Sequence, residues 1–227
     1  MKTAALKSLV DEVVRSSRKT IGIEVRSDGR AIIRAPMRAP VSEIEQAVWN
    51  RRDWIIQKKA EMLARKPEPK VYRDGELFYY LGELRTLRIS SGARFAIEYS
   101  NGEFILAEDC LENARDYFEK WYTKQARLVF EKRAKELAGL HGFKYLKIKL
   151  SSAEGRWGSC SSKGYINLNK KLIMAPLAVL DYVILHELSH TVHMDHTKRF
   201  WALVASVCPN YKTCKKWLKD HGEKLIY

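Results

Sequence analysis

Four histidines lie within eleven residues of the chain, in the segment HELSHTVHMDH, and their spacing suits a metal site. His186 and His190 are four residues apart, so on a helix both imidazoles lie on one face, with Cβ atoms about 5–6 Å apart. Two such imidazoles can bind one zinc ion. Glu187, beside the first of them, is placed to take a proton from a water at that ion. The pattern is HExxH, a signature of zinc metallopeptidases.

An alternative interpretation is a helix that carries surface histidines without a metal. The residues around the motif are strongly apolar, in the segment LAVLDYVILHELSH. Burying uncoordinated, ionisable imidazoles on such a helix is unfavourable. The context therefore favours coordination of a metal.

A catalytic zinc site needs a third protein ligand and an open position. Residues 188–222 contain no glutamate that could supply this ligand from a later helix. His196 stands six residues after His190, and HExxHxxxxxH has the spacing of the HExxHxxGxxH motif. We predict His196 as the third ligand and zinc as the cofactor. His193 is expected beside the ligands or exposed, and Asp195 is a candidate to orient a ligand imidazole.

Hydrophobic periodicity and helix-breaking residues predict the helices and strands that must position these residues. Pro176 suits the first turn of a helix over about 177–193. Two helices are expected after it, from Thr197 to before Pro209 and over about 211–221. Upstream, the patterns predict a long amphipathic helix from Leu111 to Gly139 or Gly142, a strand in KYLKIKL, and a hairpin that turns at Ser162-Lys163-Gly164.

The sequence pattern of the first hundred residues predicts short strands around one helix. KTIGIEVRSDGRAIIRAP is typical of a hairpin that turns at Ser27-Asp28-Gly29, and further hairpins are expected at Gly82 and at Asn101-Gly102. Between them, Ser42 and Glu45 have the spacing of a capping box, and the prolines after Lys66 end the predicted helix. The chain is predicted as α+β, with a β-rich α+β region over 1–108 and a catalytic domain over 109–227.

Composition and net charge limit the classes of protein to which this chain can belong. The chain has 227 residues, 46% hydrophobic, with a formal net charge of +14. Residues 111–227 carry 21 Lys and Arg against 11 Asp and Glu, or +10, which leaves +4 for residues 1–110. This excess suits an acidic substrate, a nucleotide or nucleic acid, but equally a solvated basic surface. No apolar run has the length of a membrane span, so we expect no membrane partner and a cytoplasmic location.

The chain also resembles a known family. The segments RWGSCSSKGYINLNKKLIMAP and DYVILHELSHTVHMDHTKRFW, with SRKTIGIEVRSDGRAIIRAP and GELFYYLGELRTLRI near the N-terminus, are similar to the YgjP-like metallopeptidase family, relatives of the WLM and SprT-like zinc proteins. The resemblance spans nearly the whole chain. It implies a zincin-like catalytic domain, with a mixed sheet packed on the active-site helix and the RWGSC strand along the cleft.

The resemblance places His186, His190 and His196 at the family's metal positions and Glu187 at its catalytic position. Arg156 precedes Trp157 on the strand expected at the cleft. Its guanidinium suits a carboxylate, a phosphate or a developing oxyanion, or alternatively an ion pair with a neighbour such as Glu154.

Three functions remain open for the same metal site. The first is a zinc peptidase in which Glu187 acts as general base on peptide or protein substrates. The second, raised by the family resemblance, is a nucleoside triphosphate pyrophosphatase, for example from UTP to UMP and pyrophosphate. The third is a DNA-associated protease of the SprT-like kind, supported by charge and distant kinship. A structural zinc module is a fourth interpretation, but such a site has no need of a base like Glu187.

Overall fold

The computed structural model describes residues 9–26, 28–65 and 69–227. These residues form two compact units, which divide between residues 68 and 69. Each unit has a hydrophobic core of its own. The units are therefore described one at a time.

The first unit is a three-stranded sheet with two helices. Strand β3 (Ala31–Pro36) lies between β1 (Glu12–Ser16), to which it is parallel, and β2 (Gly22–Val25), to which it is antiparallel. The β2–β3 pairing confirms the predicted hairpin, although Ser27 of its turn lies outside the described residues. Helices α1 (Val41–Asn50) and α2 (Arg52–Arg65) follow.

Two details of the helical prediction are wrong. The predicted single helix is broken at Arg51, whose φ of −119° and ψ of 14° are not helical. The first helix begins after Pro40, and its N-terminus has no side-chain cap, so the Ser42 and Glu45 spacing does not act as a capping box. Pro40 is instead the N-cap residue, with φ of −59° and a non-helical ψ of 146°.

The second unit begins with a four-stranded sheet in the order β4-β5-β7-β6. Its strands are β4 (Leu77–Tyr80), β5 (Glu83–Ser90), β6 (Ile97–Ser100) and β7 (Glu103–Ala107). Both predicted tight turns are present. Leu81 and Gly82, like Asn101 and Gly102, have positive φ, as a type I′ hairpin turn requires.

Helix α3 (Ala114–His141) follows a 3-10 helix over Glu108–Asn113, so the long helix starts later than Leu111 and ends at Gly142. A mixed sheet then forms in the order β8-β10-β9, from β8 (Lys147–Ser151), β9 (Gly158–Cys160) and β10 (Tyr165–Asn169). Helices α4 (Leu177–Ser189), α5 (Lys198–Val207) and α6 (Tyr211–His221) complete the unit. None of the described helices is both long and apolar enough to cross a membrane.

These elements confirm the α+β class and the mixed sheet beside the motif-bearing helix. The predicted domain boundary after residue 108 differs from the division into compact units. Phe78 and Phe104 of the four-stranded sheet are fully buried in one core with Phe118 and Tyr122 of α3. The Tyr122 hydroxyl also donates to the carbonyl of Tyr79 at 2.6 Å. Strands β4–β7 therefore belong to the same compact unit as the histidine motif.

Candidate metal centre

Helix α4 carries the first part of the site, and its sequence explains its position. It begins after Pro176 and is apolar on nearly every side, so almost all of it is buried. Asp181, one of its few charged residues, accepts two hydrogen bonds from Arg133 of α3, at 2.9 and 2.6 Å. Apolar packing and this bidentate pair fix the helix that holds His186 and Glu187.

The three predicted ligands converge on one point. Ligand nitrogens of His186, His190 and His196 all lie within 4.8 Å of one another. The Nε2 atoms of His186 and His196 are 3.2 Å apart. Two nitrogens bound to one tetrahedral zinc at about 2.0–2.1 Å are separated by about 3.3 Å. The set therefore has the spacing of ligands around a single ion.

The end of α4 determines how His190 is oriented. The helix ends at Ser189, four residues before the predicted end, so His190 is its C-cap residue. Nδ1 of His190 lies 3.0 Å from the backbone carbonyl oxygen of His193, which can only accept, so Nδ1 carries the proton. The lone pair of His190 is then on Nε2, and His193 contributes to the site through its backbone.

Asp195 has a different role from the predicted one. Its Oδ1 accepts hydrogen bonds from the backbone N–H and the hydroxyl of Thr197, at 3.4 and 2.9 Å. Aspartate commonly makes such a local bond two residues on, where the chain turns into a helix. Asp195 thus shapes the turn that presents His196 and is not hydrogen-bonded to a ligand imidazole.

The buried ring of Phe200 in α5 contacts all three imidazoles. This residue was not among those predicted from the sequence. Its ring centroid lies 4.9, 4.4 and 4.8 Å from those of His186, His190 and His196, and it is stacked on His190. Its side chain is fully buried. The signal available in the sequence was its place in DHTKRFW, four residues after His196 and one helical turn into α5.

Burial keeps His186 and His190 in the neutral form that binds a metal. Loss of solvation, together with the positive charges that His190, His196 and Lys215 can carry, lowers the pKa of His186 to about 3. Burial also lowers the pKa of His190, although its hydrogen bond to His193 opposes this shift. Neutral imidazoles have a free lone pair, so no proton has to leave before an ion binds at neutral pH.

Glu187 lies against the β9 strand with an unsatisfied carboxylate. The residue is 4% exposed, and its Oε2 has no hydrogen-bond partner in the described part of the chain. Burial raises the pKa of Glu187 to about 7, an effect that the charge of Arg156 partly opposes. A Cβ atom on Gly158 would lie 2.7 Å from Cγ of Glu187, so only glycine allows this approach.

Arg156 and the β9 strand are held by a buried asparagine. The Asn169 side-chain amide donates to the carbonyls of Ala153 and Arg156, at 3.1 and 3.3 Å, and its Oδ1 accepts from the N–H of Lys171. The Arg156 side chain is exposed. The described residues show no ion pair between Arg156 and Glu154, and the influence of its charge on Glu187 places it beside the site.

A cavity of about 350 Å³ opens beside Glu187 and His186. Trp157 and Gly158 form one side of it, and residues of α6 form another. Tyr182, one helical turn before His186, also lines it, and burial raises the pKa of its hydroxyl to about 12, so the hydroxyl stays protonated. The cavity is large enough for a substrate side chain next to the three histidines.

The residues present fit a zinc ion. Three neutral imidazoles are ligands that zinc commonly takes, and three protein ligands leave the open position of a catalytic site. The buried and unpartnered Glu187 oxygen is a second feature that a purely structural site does not need, because a carboxylate without partners is costly to bury. The chemistry available to this arrangement is hydrolysis by an activated water.

Comparison with known proteins gives three findings. A family model described as YgjP-like, metallopeptidase domain, matches residues 19–221. No curated protein matches the chain. The crystal structure of the metallopeptidase zymogen of Pyrococcus abyssi abylysin is similar over 40% of this chain and 93% of that one, with 20% sequence identity and a TM-score of 0.37.

Proposed function

Because the chain belongs to the YgjP-like metallopeptidase family, we propose that it is a zinc-dependent peptidase in which His186, His190 and His196 hold the metal. The observation that carries the proposal is the convergence of three imidazoles beside a buried, unpartnered carboxylate. When bound, zinc polarises a carbonyl group and lowers the pKa of water toward about 7.

Glu187 is the general base of this proposal. It is adjacent to His186 in the sequence, and its carboxylate lines the same cavity. It accepts the proton of the attacking water and later donates that proton to the leaving amine. Because Gly158 has no side chain, the carboxylate packs directly against the β9 strand, which limits its movement.

Arg156 is proposed to stabilise negative charge that develops on the substrate. Its charge acts on Glu187, and its side chain is exposed to solvent at the edge of the site. A guanidinium group at this position suits an oxyanion or a substrate carboxylate. The supporting hydrogen bonds of Asn169 fix the backbone of Arg156 and leave its side chain free to meet the substrate.

The substitution Glu187→Gln tests the assignment of the base. Zinc content, measured by elemental analysis, is expected to stay at the wild-type level, because the three imidazoles are unchanged. Casein hydrolysis is expected to fall by about a hundredfold or more, since general-base catalysis contributes at least that much. Glu131→Gln, an exposed glutamate of α3, is the matched control and should keep full activity. Wild-type turnover in zinc-loaded Glu187→Gln would contradict the role.

A second candidate function uses the same metal site to hydrolyse a different bond. The net charge of +10 over residues 111–227 also suits a phosphoanhydride, as in hydrolysis of UTP to UMP and pyrophosphate. One zinc-loaded preparation should be screened on casein and on nucleoside triphosphates. Release of pyrophosphate without peptide cleavage would favour this candidate. The DNA-associated alternative has the same charge as its support, and lack of DNA stimulation at moderate salt would exclude it.

A further inference from the structure

Two lysines face the cavity beside the histidines. Lys215 and Lys219 are four residues apart on α6, so their side chains lie on the same face of that helix. Both line the cavity that Glu187 and His186 also line. The cavity therefore has two positive charges on the wall formed by α6.

Lys215 is held in place by an aromatic stack. Its Nζ lies 4.9 Å from the centre of the Trp201 ring, and Trp201 is stacked on Tyr211 with 5.5 Å between ring centres. A cation over an aromatic face is attracted by the ring quadrupole. The Trp201 ring also lies 5.6 Å from the ring of His186 and 5.7 Å from that of His196, so the ammonium group is held close to these histidines.

The charges of the two lysines are not neutralised by a salt bridge to any acidic residue that the structure describes. No ion pair of Lys215 or Lys219 occurs within the described parts of the chain, while the nearby Asp220 is paired with Lys216 of the same helix. Two like charges beside a half-enclosed cavity repel each other and any cation that the histidines hold. An anionic group in the cavity would relieve this repulsion.

The rest of the cavity limits the kind of anion. Trp157, Val183 and Leu218 contribute apolar surface to the same cavity that the lysines and Glu187 line. Methylene groups with a terminal carboxylate match an apolar wall followed by two cations. A polyphosphate matches it less well, because its charged oxygens follow one another without an apolar segment. The volume of about 350 Å³ suits one or two residues of a peptide.

We infer that this cavity is a specificity pocket for an acidic side chain, above all glutamate, next to the scissile bond, with Lys215 and Lys219 binding its carboxylate. The inference rests on the proposed peptidase function. It makes the lysines determinants of specificity, whereas Glu187 and the histidines carry out the reaction on any substrate. The protein would then cleave acidic peptides in preference to neutral ones of the same shape.

Specificity is tested with two alanine-rich peptides that differ only in a central Glu or Gln. The wild type should cleave the Glu peptide with a kcat/KM about tenfold higher, as expected for two charge-assisted contacts of roughly 0.7 kcal/mol each. The double variant Lys215→Met/Lys219→Met keeps most of each stem and should cleave both peptides alike. Lys212→Met/Lys216→Met, on the same helix but outside the cavity lining, should keep the wild-type preference.

Binding without turnover separates this inference from the proposed function. Zinc-loaded Glu187→Gln is titrated with fluorescently labelled versions of the two peptides, and affinity is followed by polarisation. Tighter binding of the Glu peptide, lost in the double lysine variant, supports the inference. Equal binding and cleavage of both peptides by the wild type would overturn the pocket and leave the peptidase intact. Binding of neither peptide, with pyrophosphate released from UTP instead, would overturn both.

Discussion

At the scale of single residues, the site depends on a close contact between a strand and a carboxylate. Gly158 of β9 lies against the side chain of Glu187. That side chain occupies the space that a methyl group on residue 158 would fill. Glu187 itself has little freedom, because it is buried on a helix that is buried on nearly all sides. The position of the proposed general base therefore depends on the absence of a side chain at Gly158 on the facing strand.

Gly158→Ala is predicted to lower turnover without removing the metal. The added Cβ would lie 2.7 Å from Cγ of Glu187, so the carboxylate must move. A displacement on the order of 1 Å at a catalytic group is expected to reduce kcat about a hundredfold. Casein hydrolysis and zinc content are the two measurements.

Gly139→Ala provides the matched control. A Cβ at Gly139 meets open space, and the residue lies in the last turns of α3, where alanine is preferred. Its activity should equal that of the wild type. If both alanine variants retain full activity, the contact with Glu187 does not position the base.

The spacing of His186, His190 and His196 was sufficient to predict that these side chains meet, because helical geometry and a short turn leave few alternatives. Phe200 and Gly158 could not be predicted in the same way. Each contacts a residue of a different element: Phe200 packs on His190, and Gly158 packs on Glu187. A local sequence pattern does not determine such contacts. The metal and base roles of the ligands and Glu187 stay predictions until they are measured.

At the scale of elements, α4 is held in register by packing and by one half-buried charge pair. Arg133 of α3 donates two parallel hydrogen bonds to Asp181, in a geometry that only a guanidinium supplies. Asp181 stands five residues before His186. The ion pair therefore connects the long helix to the helix that carries two of the proposed ligands.

Arg133→Met is predicted to destabilise the protein by about 1–3 kcal/mol, because it leaves Asp181 half-buried and without a partner. Urea unfolding, followed by circular dichroism, measures the change. Arg127→Met is the control. Arg127 is exposed on the same helix, and it forms no ion pair with any residue that the structure describes. A change of less than 0.5 kcal/mol in both variants would show that the pair does not stabilise α4.

Elements with local signals were predicted well. Helix α6 was expected at about 211–221 and occupies Tyr211–His221, and the tight hairpins formed where Asn-Gly and Leu-Gly pairs stand. One strand whose partner lies far along the chain was not predicted. Strand β1 pairs in parallel with β3, some twenty residues on, and such pairing has no turn to mark it.

At the scale of the whole molecule, the decisive feature is the core of the second unit. Phe78, Leu87, Phe104 and Leu106 of the four-stranded sheet are fully buried in it. Further contacts join the β4–β5 turn to the segment before α4, where the N–H groups of Leu81 and Gly82 donate to the carbonyls of Ile173 and Met174. The change from a strand pattern to a helical pattern near residue 108 marks the end of the strands but not the end of the core.

A fragment of residues 69–227 is therefore predicted to fold and bind zinc, whereas residues 109–227 should do neither. Removing residues 69–108 deletes four fully buried apolar side chains, each worth about 1.5–3 kcal/mol, or roughly 6–12 kcal/mol together. That loss is comparable to the whole stability of a typical domain, about 5–15 kcal/mol. Cooperative urea unfolding and zinc content of the two fragments provide the measurement. A cooperatively folded fragment of 109–227 that binds zinc would instead favour the boundary predicted from the sequence pattern.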